Sequence, residues 1–592
     1  MAYSSKTYFF LLFIFLPFVL FSQIKNEILQ ANSYYENGEY AKAQILYEKL
    51  LRESPRNIQI YKNLLDTYNK TANREKKENL VQLYIDKNPK SPLFLIDAAY
   101  LKKNEANSQK YIDSSFEILK QNPSYAYSMA IRFGNYNDPK NALKSFQVAE
   151  KVNSKYNFST QKARLYGELG MVDSMLYNYF AMIDQNPARK SNIRRYIESY
   201  LRQNRSDELT DEVRKVLLIK IQETNNPIYN ELLMWFFMVN NDYRSASTQA
   251  KSLYLRSYYD LQRLLLFANE AEEKKDFETA INMYSYIREK SQKDEYYFES
   301  TRKFLELQSQ INESNLSNEE ILVQYEEALK IEGFSQQHFL LIESYIKFLS
   351  KSDAELALNK LNFLTEKYQN YDEIMARKYL IEGDIQLILV DFNKSFLAYQ
   401  KAEAFTSDQY LEDEAKFKSL KIAFYKEDFK WALQQSKVLK KSISKYYAND
   451  SAELMILLHN SYKSDSNEVA LKLYSKAELF KEQNKLDSSY TYFSKIYSEL
   501  PYHYLKANAL YSMAEIYLDK KEYEKGTSLL IALYEEFPSN NITPLALYKL
   551  CEVYLQNIKN KEEAKYWFEE LAIKFPNNNY TLLARELYFE NI

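Results

Sequence analysis

Proline stands at positions 55, 89 and 123, each 34 residues after the last. So constant a spacing marks an internal repeat, and this period suits a pair of helices with the turns around them. The stretch "NGEYAKAQILYEKLLRESPRN" (37–57) shows what one unit holds. Ala43, Tyr47 and Leu50 fall at i, i+4 and i+7, along one face of a helix. Gly38 before that helix suits a turn, and Pro55 after it stops the run. With only 7 glycines and 12 prolines in 592 residues, the chain lacks the turn residues that β-rich folds need and favours long helical stretches.

The pattern recurs along the chain. In phase with Pro55, Ala31 and Tyr34 take the small and aromatic positions of the first helix. Ala163, Tyr166, Gly170, Met175, Tyr179, Met182 and Pro187 repeat it, and so do Ala268, Phe277, Ala280, Tyr284 and Ile287. Two late units follow: Ala514, Tyr517, Tyr523, Gly526, Leu530, Leu533 and Pro538, then Cys551, Tyr554, Ala564, Phe568, Leu571 and Pro576. Ala43, Ala280 and Ala564 are expected where two helices cross closely, because only a small side chain permits that approach. Tyr47, Tyr284 and Phe568, one turn later, are expected to fill the space beside the crossing. Cys551 occupies a small-residue slot, so packing is its expected role.

These motifs resemble the tetratricopeptide repeat family over nearly the whole chain after residue 22. The resemblance implies an all-α fold: an α-solenoid superhelix of stacked antiparallel helix pairs. It is strong at 24–57, 156–189, 261–294 and 376–592 and weaker at 190–260 and 295–375, where Trp235 sits in "NNPIYNELLMWFFMVNNDYRSA". The expected organisation is a signal peptide at 1–22, an N-terminal array at 23–189, a divergent helical region at 190–375 with one clear repeat at 261–294, and a C-terminal array at 376–592. The ending "FEELAIKFPNNNYTLLAREL" also resembles exported envelope tetratricopeptide proteins of Gram-negative bacteria.

Lys6 precedes the apolar run "YFFLLFIFLPFVLF" (8–21), and Ser22-Gln23 follow it. A positive start, a short apolar core and a small residue at the junction make a secretory signal; the run is short for a membrane span. Export to the periplasm is expected, with an uncleaved inner-membrane anchor as the alternative. No later segment is apolar enough to span a bilayer.

The charge balance, 78 Lys and Arg against 80 Asp and Glu, lacks the concentrated positive charge of a nucleic-acid binder. One cysteine and three separated histidines show no metal-ligand spacing. Gly167 and Gly170 have neither phosphate-loop nor dinucleotide pattern around them. No Gly-x-Ser-x-Gly elbow or His-Glu-x-x-His helix occurs. No cofactor, metal or catalytic residue is therefore expected, and the chain reads as a non-enzymatic scaffold for other proteins of the envelope. A permanent brace within an assembly, secretion or cell-wall machine is the alternative, and an enzyme with an unrecognised site is a third reading. By the offsets of the family, the first helices line a concave surface. Those offsets select Lys25, Ile28, Asn32 and Tyr35 in the first repeat and Asn508, Tyr511, Glu515 and Leu518 in a late one as partner-binding positions.

Overall fold

A computed structural model describes residues 26–103, 107–204, 206–311, 316–441, 445–464, 468–500 and 503–590. The expected signal segment at 1–22 and Lys25 lie outside the described residues. The described residues form helices and turns with no strand among them. The fold is an all-α, tetratricopeptide-like solenoid of stacked antiparallel helix pairs, in which each helix packs chiefly on its neighbours in sequence. Two compact units make up the chain, residues 1–249 and 250–592.

One turn design joins the two helices of many pairs. A residue in the left-handed region ends the first helix, and the second helix starts two positions later. Gly38 and Gly170 serve in this way with φ of 77° and 71°. Asn137, Asn241, Lys275, Val390, Glu427, Asn484 and Lys521 adopt the same conformation, with φ between 54° and 64°. The glycine turn expected from the opening stretch is thus one case of a conformation that other side chains also adopt. Aspartate often follows it. Asp138, Asp242, Asp276, Asp391 and Asp428 each accept a hydrogen bond from the backbone N–H three residues on, which satisfies an amide the helix leaves open.

The small residues sit at the crossings. Ala31, Ala43, Ala163, Ala268, Ala280, Ala514, Cys551 and Ala564 have no exposed surface. Tyr47 and Tyr284 are buried beside them, as their spacing predicts. In the last unit the larger indole of Trp567, at i+3, takes that space instead. Phe568 stays half-buried and stacks on Tyr588 at 5.1 Å between ring centres. The same unit departs in length: 13 residues separate Cys551 from Ala564, against 12 from Ala31 to Ala43. A π-helical turn at Tyr554–Ile558, closed by left-handed Lys559, lies within this longer connection and accommodates the extra residue.

The tyrosines, 55 in all, do more than fill space. Tyr47 donates its hydroxyl to Asn32 Oδ1 at 2.7 Å, Tyr284 to Asn269 Oδ1 at 2.6 Å and Tyr399 to Asp384 Oδ1 at 2.8 Å. Each acceptor directly follows a small residue (Ala31, Ala268, Gly383), and each tyrosine comes 15 residues later. Others tie one pair to the next. Tyr61 and Tyr136 both donate to fully buried Asp97, at 2.8 and 2.9 Å, with Arg132 Nε 3.4 Å away. A ring buried in the core with its hydroxyl on a polar partner satisfies both halves of the side chain.

Helix pairs continue through 190–375, including Glu295–Gln310 and Asn318–Leu329, then Gln336–Leu349 and Ala354–Thr365. Trp235 is buried in Pro227–Val239, with the Arg194 guanidinium 4.9 Å from its ring centre. Within residues 250–592 the stack also touches itself at long range. Lys521 Nζ donates to the Gln310 carbonyl at 3.2 Å, and Lys275 reaches the Gln556 side-chain oxygen.

Candidate functional site

In the second unit, first helices of successive pairs turn one face towards a common cavity of about 500 Å³. Gln409–Tyr425 supplies Phe417, Lys421 and Phe424, and Val469–Glu482 supplies Tyr474, Glu478 and Lys481. Lys506–Asp519 supplies Asn508, Tyr511 and Glu515, while Leu545 comes from Thr543–Val553 and Tyr580 from Asn579–Glu590. The helix Lys445–Ser464 closes the lining with Asp450, Glu453, Leu454 and Leu457.

The repeat register explains this convergence. Relative to the small residue Ala514, Tyr511 lies three positions before and Glu515 one after. Relative to Ala477, the same offsets give Tyr474 and Glu478, and a position four after gives Lys481. Around Leu420 they give Phe417, Lys421 and Phe424. Laid on these two helices as well, the offsets that select Tyr511, Glu515 and Leu518 would have named six further lining residues. Asp450 and Glu453 had no such signal, because Lys445–Ser464 carries no second helix of its own and falls outside the period.

The eight sequence-selected positions meet different fates. Asn508, Tyr511 and Glu515 line the cavity together. Leu518 does not: its Cδ2 lies where a Cβ on Gly526 would come within 2.5 Å, so it fills the crossing with the following helix. In the first unit Asn32 and Tyr35 line a smaller cavity of about 230 Å³ with Glu36, Tyr47, Asn63 and Asp66. Both are held by internal bonds there. Asn32 Oδ1 accepts from Tyr47 and, at 3.1 Å, from Asn63 Nδ2, and Tyr35 donates to Asp66. Ile28 packs against the hydrophobic core of that unit, and Lys25 lies outside the described residues.

The large cavity is aromatic and acidic. Tyr425, Tyr474 and Tyr511 are buried in its wall, with Tyr504 and Tyr580 half-buried. Four carboxylates, Asp450, Glu453, Glu478 and Glu515, face two ammonium groups. Both ammonium groups are committed: Lys481 donates to Glu515 at 2.7 Å and Lys421 pairs with Glu482, which also accepts from Tyr425 at 3.0 Å. Burial raises the pKa of Glu478, and the neighbouring Glu482 and Glu515 charges add to the rise against the pull of Lys481 and Lys421. Partial burial raises Asp450 and Glu453 in the same direction. Asn508 Oδ1 is buried and has no hydrogen-bond partner among the described residues.

No family model matches the chain, and no curated protein matches it. Among solved structures, that of Naa15/Naa10 bound to HypK-THB is similar over 96% of each chain, at 13% identity and a TM-score of 0.26. That of the APC/C hetero-tetramer Cut9–Hcn1 is similar over 98% of each chain, at 13% identity and a TM-score of 0.23.

Among the described residues no group of three His, Cys, Asp or Glu side chains could hold a metal ion, and no helix is long and apolar enough to cross a membrane. Cys551 is buried in its packing slot, and burial pushes its thiol up to about 11, away from thiolate reactivity. What the cavity offers is shape, ring faces, amide groups and charge.

Proposed function

We propose that this chain is a non-enzymatic scaffold of a bacterial cell envelope that holds a segment of a partner protein in the cavity of its second unit. The supporting observation is the convergence of equivalent side chains from successive first helices on one cavity. Its volume falls in the range of sites that enclose side chains or small ligands. The groups that line it are also those that recognise peptides: aromatic faces for side chains, and Asn508, Asn540 and Asn541 for backbone amides. The envelope assignment rests on the sequence alone, on Lys6 and the apolar run at 8–21.

Site-directed photocrosslinking in intact cells tests this reading. A photoreactive residue in place of Tyr504, half-buried at the cavity, should capture partner protein. The same group in place of Tyr566, exposed on the second helix of a pair, should not. Capture from position 566 with none from 504 would overturn the cavity assignment. A purified chain that turned over a substrate would overturn the non-enzymatic one.

A further inference from the structure

Resting on that reading, we infer that the occupant presents a cationic side chain, arginine or lysine, from an extended segment of the partner, into the cavity between Tyr474, Tyr511 and Glu478. Three observations converge on this chemistry. The first is an unbalanced charge. Lys421 and Lys481 are engaged with Glu482 and Glu515, and among the described residues Glu478 has neither hydrogen bond nor ion pair. Asp450 and Glu453 stand at the more exposed side of the cavity, and among the described residues neither forms an ion pair. A half-buried carboxylate without a partner is a cost that a guanidinium or ammonium group would remove.

The second is the ring lining. Tyr425, Tyr474, Tyr504, Tyr511 and Tyr580 surround the same space as the carboxylates. Faces of aromatic rings attract cations and accommodate the methylene stem that leads to them. The third is Asn508, whose buried Oδ1 lacks a donor among the described residues. Together with Asn540 and Asn541 at the loop before Thr543–Val553, it offers amide groups of the kind that bind peptide N–H and C=O. That amide set favours a polypeptide over a free small cation. Elevated pKa values at Glu478, Asp450 and Glu453 agree with carboxylates awaiting a positive charge.

The test uses the full chain and short synthetic peptides that carry one central arginine between apolar residues, each paired with its citrulline counterpart, which keeps the shape and loses the charge. Binding is followed by fluorescence anisotropy. The arginine peptide should bind at least about tenfold more tightly than the citrulline peptide. Glu478→Gln should abolish that difference, while Glu569→Gln, on an exposed second-helix surface, should leave it intact. Equal binding of both peptides, lost on blocking the cavity with Ser512→Trp, would overturn the cationic assignment and leave the scaffold reading standing. Arginine amide binding as tightly as the peptide would make this a small-cation site and overturn the polypeptide assignment. Failure of every arginine peptide to bind overturns the inference, and crosslinking at position 504 then decides the scaffold reading separately. Circular dichroism of each variant excludes loss through unfolding.

Discussion

At the scale of single residues, the chain tolerates backbone conformations that its composition would not suggest. Val390 is β-branched, half-exposed and held at φ 63°, a conformation disfavoured for such a side chain. Val390→Gly should therefore stabilise the protein by about 0.5–1 kcal/mol, the relief of strain exceeding the added entropy of the unfolded chain. An unchanged or lower urea midpoint would show that the turn is not strained. His338 makes a second residue-scale case. It is buried, with Nδ1 2.9 Å from the Tyr368 hydroxyl, and burial with help from nearby Lys367 lowers its pKa from 6.5 to about 4. As pH falls through that interval the unfolded chain takes up a proton that the folded chain refuses, so stability is lost. The loss from this group reaches roughly 3 kcal/mol at the acid end. His338→Gln should remove that part of the slope, whatever packing it costs. Parallel stability curves for the two proteins between about pH 7 and about pH 4.5 would contradict the assignment.

At the scale of the helix pair, the sequence was most legible where sterics leave one solution. A crossing that admits only a small side chain writes Ala43 or Ala280 into the sequence 12 residues after Ala31 or Ala268, and both are fully buried. Ala280→Arg forces a long cation into such a crossing, with an expected cost of about 3 kcal/mol or more. Hydrogen exchange should show protection lost first over Leu261–Glu273 and Phe277–Lys290, because a stacked repeat couples mainly to its neighbours. Unaltered protection there would mean the crossing is looser than the structure shows. The cavity was legible only in part. Asn508, Tyr511 and Glu515 reach it through the register, but Leu518, at an equally regular position, is drawn away by the space above Gly526. Asn32 and Tyr35 also hold their register, yet Tyr47, Asn63 and Asp66 occupy their polar groups. Such hydrogen bonds run between helices, and the spacing within one helix carries no trace of them. The exchange of Phe568 for Trp567 has a similar cause: offsets state where a ring can go, and size decides which ring goes there.

At the scale of the whole molecule, the charge that matters is local. A chain with net charge −2 sets four carboxylates against two ammonium groups in one cavity, and bulk composition does not show it. The envelope reading makes its own demand on the chain. Intact mass and N-terminal sequencing of the protein from cells should give a mature start at Gln23 or within a residue or two of it. Recovery with Met1 intact would remove the basis for placing the protein beyond the inner membrane as a released chain.

The contacts of Lys521 with Gln310 and of Lys275 with Gln556 bring together parts of the second unit more than 200 residues apart in the chain. Mechanically, they are catches between turns of a spring. Both are exposed lysine contacts, worth little beside the packing within a helix pair. A modest pull would release them well before any pair came apart. The cavity draws its lining from residues 417–580 of that same spring, so its aperture depends on the pitch. Tension on the unit, or a partner gripping its outer turns, would change how widely the cavity opens without touching a residue that lines it.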